Sequence, residues 1–110
     1  MEKTLIGPLI ERELGTGAYA AREGNEGMAR VCARRAAGMA IAYWLESHPH
    51  PGWGAHAMQY LRSVHTEGSF PQEVRDAAFR LAARVTQNFS SPLPNDPIAD
   101  SRMIVEFFLP

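Results

Sequence analysis

The segment from Asn25 to Ser47, NEGMARVCARRAAGMAIAYWLES, limits what this chain can fold into more than any other stretch. It contains no proline, and alanine, the strongest helix former, recurs along it. At roughly 3.6 residues per turn it makes about six turns of helix. Its small side chains let other helices approach closely. From Ala36 to Leu45 it is nearly apolar all round, the pattern of a helix buried on several sides. The segment therefore reads as the central helix of a small all-α domain.

The flanking sequence supplies its neighbours. Pro8 is expected to open a first helix running to Arg22, with Ile10, Leu14, Ala18 and Ala21 on one face. Gly15 and Gly17 mark its weakest point, each costing up to about 1 kcal/mol relative to alanine. Gly24-Asn25-Glu26-Gly27 is a turn, and Asn25 or Glu26 begins the second helix. On that helix Glu26, Arg30 and Arg34 share a solvated stripe. Met28, Val31, Cys32, Met39 and Ala42 form an apolar stripe that also contains Arg35.

His48-Pro49-His50-Pro51-Gly52 stops the helix, because proline cannot continue it. A third helix is expected from Gly54 to Thr66, with Ala57, Tyr60, Leu61 and Val64 inward. A fourth opens at Pro71 and buries Val74, Ala77, Ala78, Leu81, Val85 and Phe89, leaving Asp76, Arg80 and Arg84 in solvent. Residues 90–97 are a proline-rich connection. In the last segment Asp96-Pro97 is a good cap and first-turn pair, favouring helix. Met103-Ile104-Val105-Glu106-Phe107-Phe108 alone would score as a strand. Helix is preferred, since no other strand is at hand to pair with it. The expected fold is a single all-α domain over residues 1–110: an up-and-down bundle of four main helices plus a short C-terminal helix.

Composition removes several function classes. With 11 basic and 12 acidic residues the net charge is -1, without the basic excess of a general polyanion binder. Cys32 is the only cysteine, which excludes an intrachain disulfide and a four-cysteine zinc module. The N-terminal stretch is soon interrupted by charge, and no run approaches the roughly 20 apolar residues of a membrane span. A cytoplasmic location and no cofactor are expected.

The remaining candidates are these. Arg30, Arg34 and Arg35 could meet an anion or nucleic acid, and Arg75, Arg80 and Arg84 could widen that surface. Interleaved acids favour a solvated mixed face instead. Arg35, on an apolar stripe, needs an acceptor, and Glu11 or Glu13 is the expected partner. His48, His50 and His56 are the candidate metal ligands, although HExxH spacing is missing. Cys32 is expected to be an inert core thiol. Trp44, Trp53, Tyr43 and Phe70 are expected to close one end of the bundle. The apolar tail makes Met103, Ile104, Phe107 and Phe108 an interface candidate, with a homodimer as the simplest partner arrangement.

The helix order and the central ARVCARRAAGMAIAYWLESH resemble HEPN domains over residues 10–90. That resemblance implies a four- or five-helix bundle, dimerisation, and partners such as nucleotidyltransferases or RNA. Nuclease members carry an arginine followed four to six residues later by a histidine. Here the nearest match, Arg62-Ser63-Val64-His65, has only two intervening residues, so ribonuclease activity is not implied. The leading expectation is a non-catalytic interaction or accessory module.

Overall fold

Asn25 caps the central helix through its side-chain oxygen, which accepts the Met28 N–H at 3.1 Å. That helix, α2, runs Glu26–Ser47. The computed structural model describes residues 2–83 and 96–110. Around α2 stand α1 (Lys3–Arg22), α3 (Ala57–Thr66), α4 (Gln72–Ala82) and α5 (Pro97–Phe108), with a 3-10 turn at Pro51–Trp53. The described residues contain no strand. The protein is an all-α bundle, and α2 touches all four other helices.

The face α2 buries is its alanine face. Ala33, Ala36, Ala37 and Ala40 are fully enclosed together with Ile41. The stripe expected to be apolar and inward lies mostly at the rim. Of its members only Cys32 is buried, Val31, Met39 and Ala42 are half-buried, and Met28 is exposed. Close approach explains the reversal. A Cβ on Gly38 would sit 2.7 Å from the Ala57 Cβ, and one on Gly17 would sit 2.8 Å from the Cys32 Cβ. Helices this near leave room only for small side chains, so the larger ones sit outside the seam.

Helix α1 begins at Lys3, five residues before the expected start, and Pro8 lies inside it. An interior proline costs about 3 kcal/mol. Burial of Ile6, worth about 1.5–3 kcal/mol, offsets much of that by holding the first turn against the core. The helix also runs unbroken through Gly15 and Gly17, with Ile6, Ile10, Leu14, Gly17 and Ala20 buried. Ala18 is half-buried and Ala21 is exposed, so the inward face is rotated from the expected one.

Helix α3 starts at Ala57 rather than Gly54. Gly54 has φ +82, a left-handed conformation that cannot be the start of a right-handed helix. The Gln59 side chain then reaches back, its Oε1 accepting the Ala55 and His56 N–H groups at 2.8 and 3.1 Å. In α4, Val74, Ala77, Ala78 and Leu81 are buried as expected. Val85, Phe89, Arg84 and most of the proline-rich connection lie outside the described residues.

The last segment is a helix. Asp96 caps it, accepting the Ile98 and Ala99 N–H groups at 3.0 and 3.3 Å. Ser101, Ile104 and Phe108 point inward at helical spacing, and the Ser101 Oγ–H donates to the Ala33 carbonyl at 2.7 Å. The interface expected of this tail is therefore divided. Ile104 and Phe108 belong to the domain's own core, while Met103 and Phe107 face outward.

Candidate functional site

Two of the three candidate anion-binding arginines are used inside the fold. Arg30, only 6% exposed, donates from Nη1 to the Arg80 carbonyl at 2.9 Å. Arg34 donates from Nε to the Leu81 carbonyl at 2.7 Å and from Nη2 to the Ala83 carbonyl at 2.9 Å. These acceptors lie at the C-terminal end of α4, where carbonyls lack helical partners and the helix dipole favours a cation. Burial lowers the Arg34 pKa from its ordinary value, and the neighbouring Arg30 charge adds to the effect. The solvated stripe expected for Arg30 and Arg34 is thus corrected. Both are drawn in because α4 ends against that side of α2.

Arg80, expected in solvent, instead binds Asp100 of α5. Its Nη2 lies 2.9 Å from Oδ1, and its Nε lies 3.2 Å from both carboxylate oxygens. The hydrogen bond to Asp100 raises the Arg80 pKa, against an opposing desolvation. Arg75 donates to the His65 carbonyl at 3.1 Å. The expected solvated face of helical arginines does not form on the described residues, since Arg35 alone of the five described members is exposed.

Arg35 is 64% exposed, so its expected place on a buried stripe is corrected too. Its expected partner is right: Nη1 lies 3.5 Å from Glu13 Oε1. Glu11 pairs elsewhere, with Arg102 of α5, at 3.0 Å. The Cys32 thiol also meets Glu13 and is buried. Burial pushes its pKa up. The Glu13 carboxylate pushes the same way, by its charge and by accepting the thiol hydrogen bond, and Arg35 opposes them. A thiol held protonated in this way is a poor nucleophile.

The structure does not gather His48, His50 and His56 as one ligand set. No three His, Cys, Asp or Glu side chains of the described residues group in a way that could hold a metal ion. The His48 ring stacks on Trp44 at 4.5 Å between centroids, and the His50 ring packs on Trp53 at 4.6 Å. His50 Nδ1 is 2.8 Å from the His48 carbonyl. His56 stands apart at the N-cap of α3. Trp44 is the hub of this end of the bundle, also meeting Trp53, Phe70 and Phe108. Trp44, Trp53 and Phe70 close the end as expected, while Tyr43 is not among the stacked rings of the described residues; sequence reasoning missed Phe107 and Phe108 as members, since they arrive from the far end of the chain.

Two surface features remain. A cleft of about 260 Å³ lies between α1 and α5, floored by Gly7, Ile10, Val105 and Leu109. Its rim charges are largely engaged: Glu11 binds Arg102, and the Lys3 ammonium donates to the Pro110 main-chain oxygen. The second feature is the outer side of α1 and α2, where the large hydrophobic side chains Leu5, Leu9, Tyr19 and Met28 are 58%, 42%, 59% and 43% exposed. No helix among the described residues is long and apolar enough to cross a membrane.

Compared with models of known protein families, with curated proteins and with solved structures, the chain gives no match.

Proposed function

We propose that this protein is a non-catalytic helical interaction module that works as a homodimer. The observation that carries the reading is the outer face of α1 and α2. It keeps three large apolar side chains, Leu5, Leu9 and Met28, in water. Exposed apolar side chains gathered on one face mark interaction surfaces. The polar groups with chemical potential are engaged in the fold: Arg30 and Arg34 cap α4, Arg80 binds Asp100, and the Cys32 thiol is buried. A nucleic-acid role of the kind implied by the HEPN resemblance would have to do without Arg30 and Arg34.

Sedimentation velocity across a micromolar concentration range tests the reading. A dimer at micromolar concentration that dissociates reversibly on dilution is the expected result. A monomer at every concentration contradicts it.

A further inference from the structure

Helix α5 is held by groups of the other helices. Arg80 of α4 binds Asp100, the Ala33 carbonyl of α2 accepts from Ser101, and Glu11 of α1 binds Arg102. Ile104 is enclosed in the core, and Phe108 enters the aromatic end against Trp44 and Phe70. Helix α5 is thus a plug, and α1, α2 and α4 form its seat. With Ile98, Ile104, Val105, Phe107 and Phe108 among its twelve residues, it leaves water only by filling such a seat.

The connection that carries α5 is longer than its own gap requires. Helix α4 ends at Ala82 and α5 begins at Pro97, so the 14 residues 83–96 join them. The two ends lie side by side, because Arg80 in the last turn of α4 meets Asp100 in the first turn of α5 at 2.9 Å. Connections between neighbouring helices of a bundle take about 2–8 residues. Fully extended, a connection of this length spans at most roughly 45–50 Å. That exceeds the longest dimension of the bundle, 39 Å.

From these two observations we infer that α5 is exchanged between two copies of this chain. The α5 of each subunit fills the seat formed by α1, α2 and α4 of the other. This inference rests on the homodimer reading above and names the contacts that hold the dimer together. It needs no new complementarity, since a second copy presents the same Arg80 side chain, Ala33 carbonyl and Glu11 carboxylate. Each subunit gives one helix and receives one, so the pair closes on itself. Every contact of α5 is kept, and the surplus length of the connection becomes the bridge between subunits.

A cross-link reads the exchange directly. Glu11 and Arg102 meet at 3.0 Å with side chains 60% and 46% exposed, so replacing them leaves the core untouched. The chain carrying Glu11→Cys and Arg102→Cys together, in a Cys32→Ala background, is treated with a short bismaleimide and separated under denaturing conditions. The expected product is a covalent species with the mass of two chains. The Glu11→Cys chain co-expressed with the Arg102→Cys chain should give it too, and neither chain alone should. A doubly substituted chain linked only to itself, or a co-expressed pair without the two-chain product, overturns the exchange. Charge reversal supplies a second reading. Arg80→Asp and Asp100→Arg each bring like charges together, and each alone should lower the urea midpoint. Refolded together they should regain most of that loss, because each seat then receives the complementary charge; a mixture that melts as the two variants do separately counts against the exchange. A wild type that sediments as a dimer while the doubly substituted chain links only to itself overturns the exchange and leaves the homodimer reading standing. A monomeric wild type removes both.

Discussion

Arg80 and Asp100, 20 residues apart, form an ion pair that fastens α4 to α5, with Arg80 Nη2 2.9 Å from Asp100 Oδ1. The Asp100 side chain is 8% exposed and that of Arg80 30%. Breaking an enclosed pair leaves a charge without compensation, which costs about 3–5 kcal/mol at full burial. Since Arg80 reaches water, Asp100→Ala should cost less, about 2–3 kcal/mol. Urea unfolding followed by circular dichroism should show a lower midpoint with an unchanged slope.

Arg34 caps the end of α4 with two hydrogen bonds from one guanidinium. Hydrogen bonds involving a charged group contribute about 1.5–3 kcal/mol each. Arg34→Ala should therefore destabilise the fold by about 2–4 kcal/mol. Arg34→Lys should recover less than half of that, because a point-like ammonium does not reproduce the planar fork. A lysine variant as stable as wild type would show that the fork geometry does not matter.

The glycines of the helices should respond to alanine with opposite signs. A Cβ at Gly15 meets nothing within 4 Å, so Gly15→Ala should stabilise by about 0.5–1 kcal/mol through the unfolded chain. A Cβ at Gly38 would lie 2.7 Å from the Ala57 Cβ and 3.3 Å from its Cα, atoms that cannot swing aside. Gly38→Ala should cost about 1–3 kcal/mol, and Ala57→Gly in the same chain should recover part of it. Thermal melts of the three variants decide the matter.

Cys32 gives a pH test. Its folded pKa is raised, so the folded chain holds the thiol proton where the unfolded chain releases it. The resulting stabilisation is fully present below the unfolded-chain value. It is lost as pH rises past the ordinary thiol value of 9.0 toward the folded one. Stability should decline over that window, and Cys32→Ala should remove this part of the decline. A thiol reagent should label Cys32 in the native protein only as fast as the fold opens.

Ile104 and Met103 are neighbours with different fates. Ile104 is fully enclosed, so Ile104→Ala should cost about 2–5 kcal/mol. Met103 faces outward, and Met103→Ala should cost about 0.5 kcal/mol or less. Removal of residues 98–110 should accordingly unfold the domain, as α5 supplies part of the core. Equal losses from Ile104→Ala and Met103→Ala would contradict the assignment of this tail to the domain's own interior.

What local chemistry governs was legible in the sequence. The Asn25 cap, the stop at His48-Pro49 and the Asp96-Pro97 start stand where short-range rules place them. Pro8 misled because the rule for a helix start knows nothing of Ile6, whose burial extends α1 backwards. The burial expected from Ala36 onward is found at Ala36, Ala37, Ala40 and Ile41, but the apolar stripe drawn through Met28 and Val31 was misjudged, because alanine contrasts weakly with its surroundings while methionine and valine draw attention to the rim. The arginines were illegible for a different reason. Arg30 and Arg34 bond to main-chain carbonyls 47 to 50 residues away, and a carbonyl leaves no mark in a sequence. Glu13 and Arg35 were legible as a pair because opposite charges on adjacent helices are. Their place on an exposed face was not.

Native mass spectrometry of gently purified, untagged protein tests the central claim most directly, because it reads subunit number and any retained mass together. The account predicts a dimer with the mass of two chains and nothing added. A monomer carrying a defined metal or small molecule would contradict it, and the added mass would identify the chemistry to pursue instead.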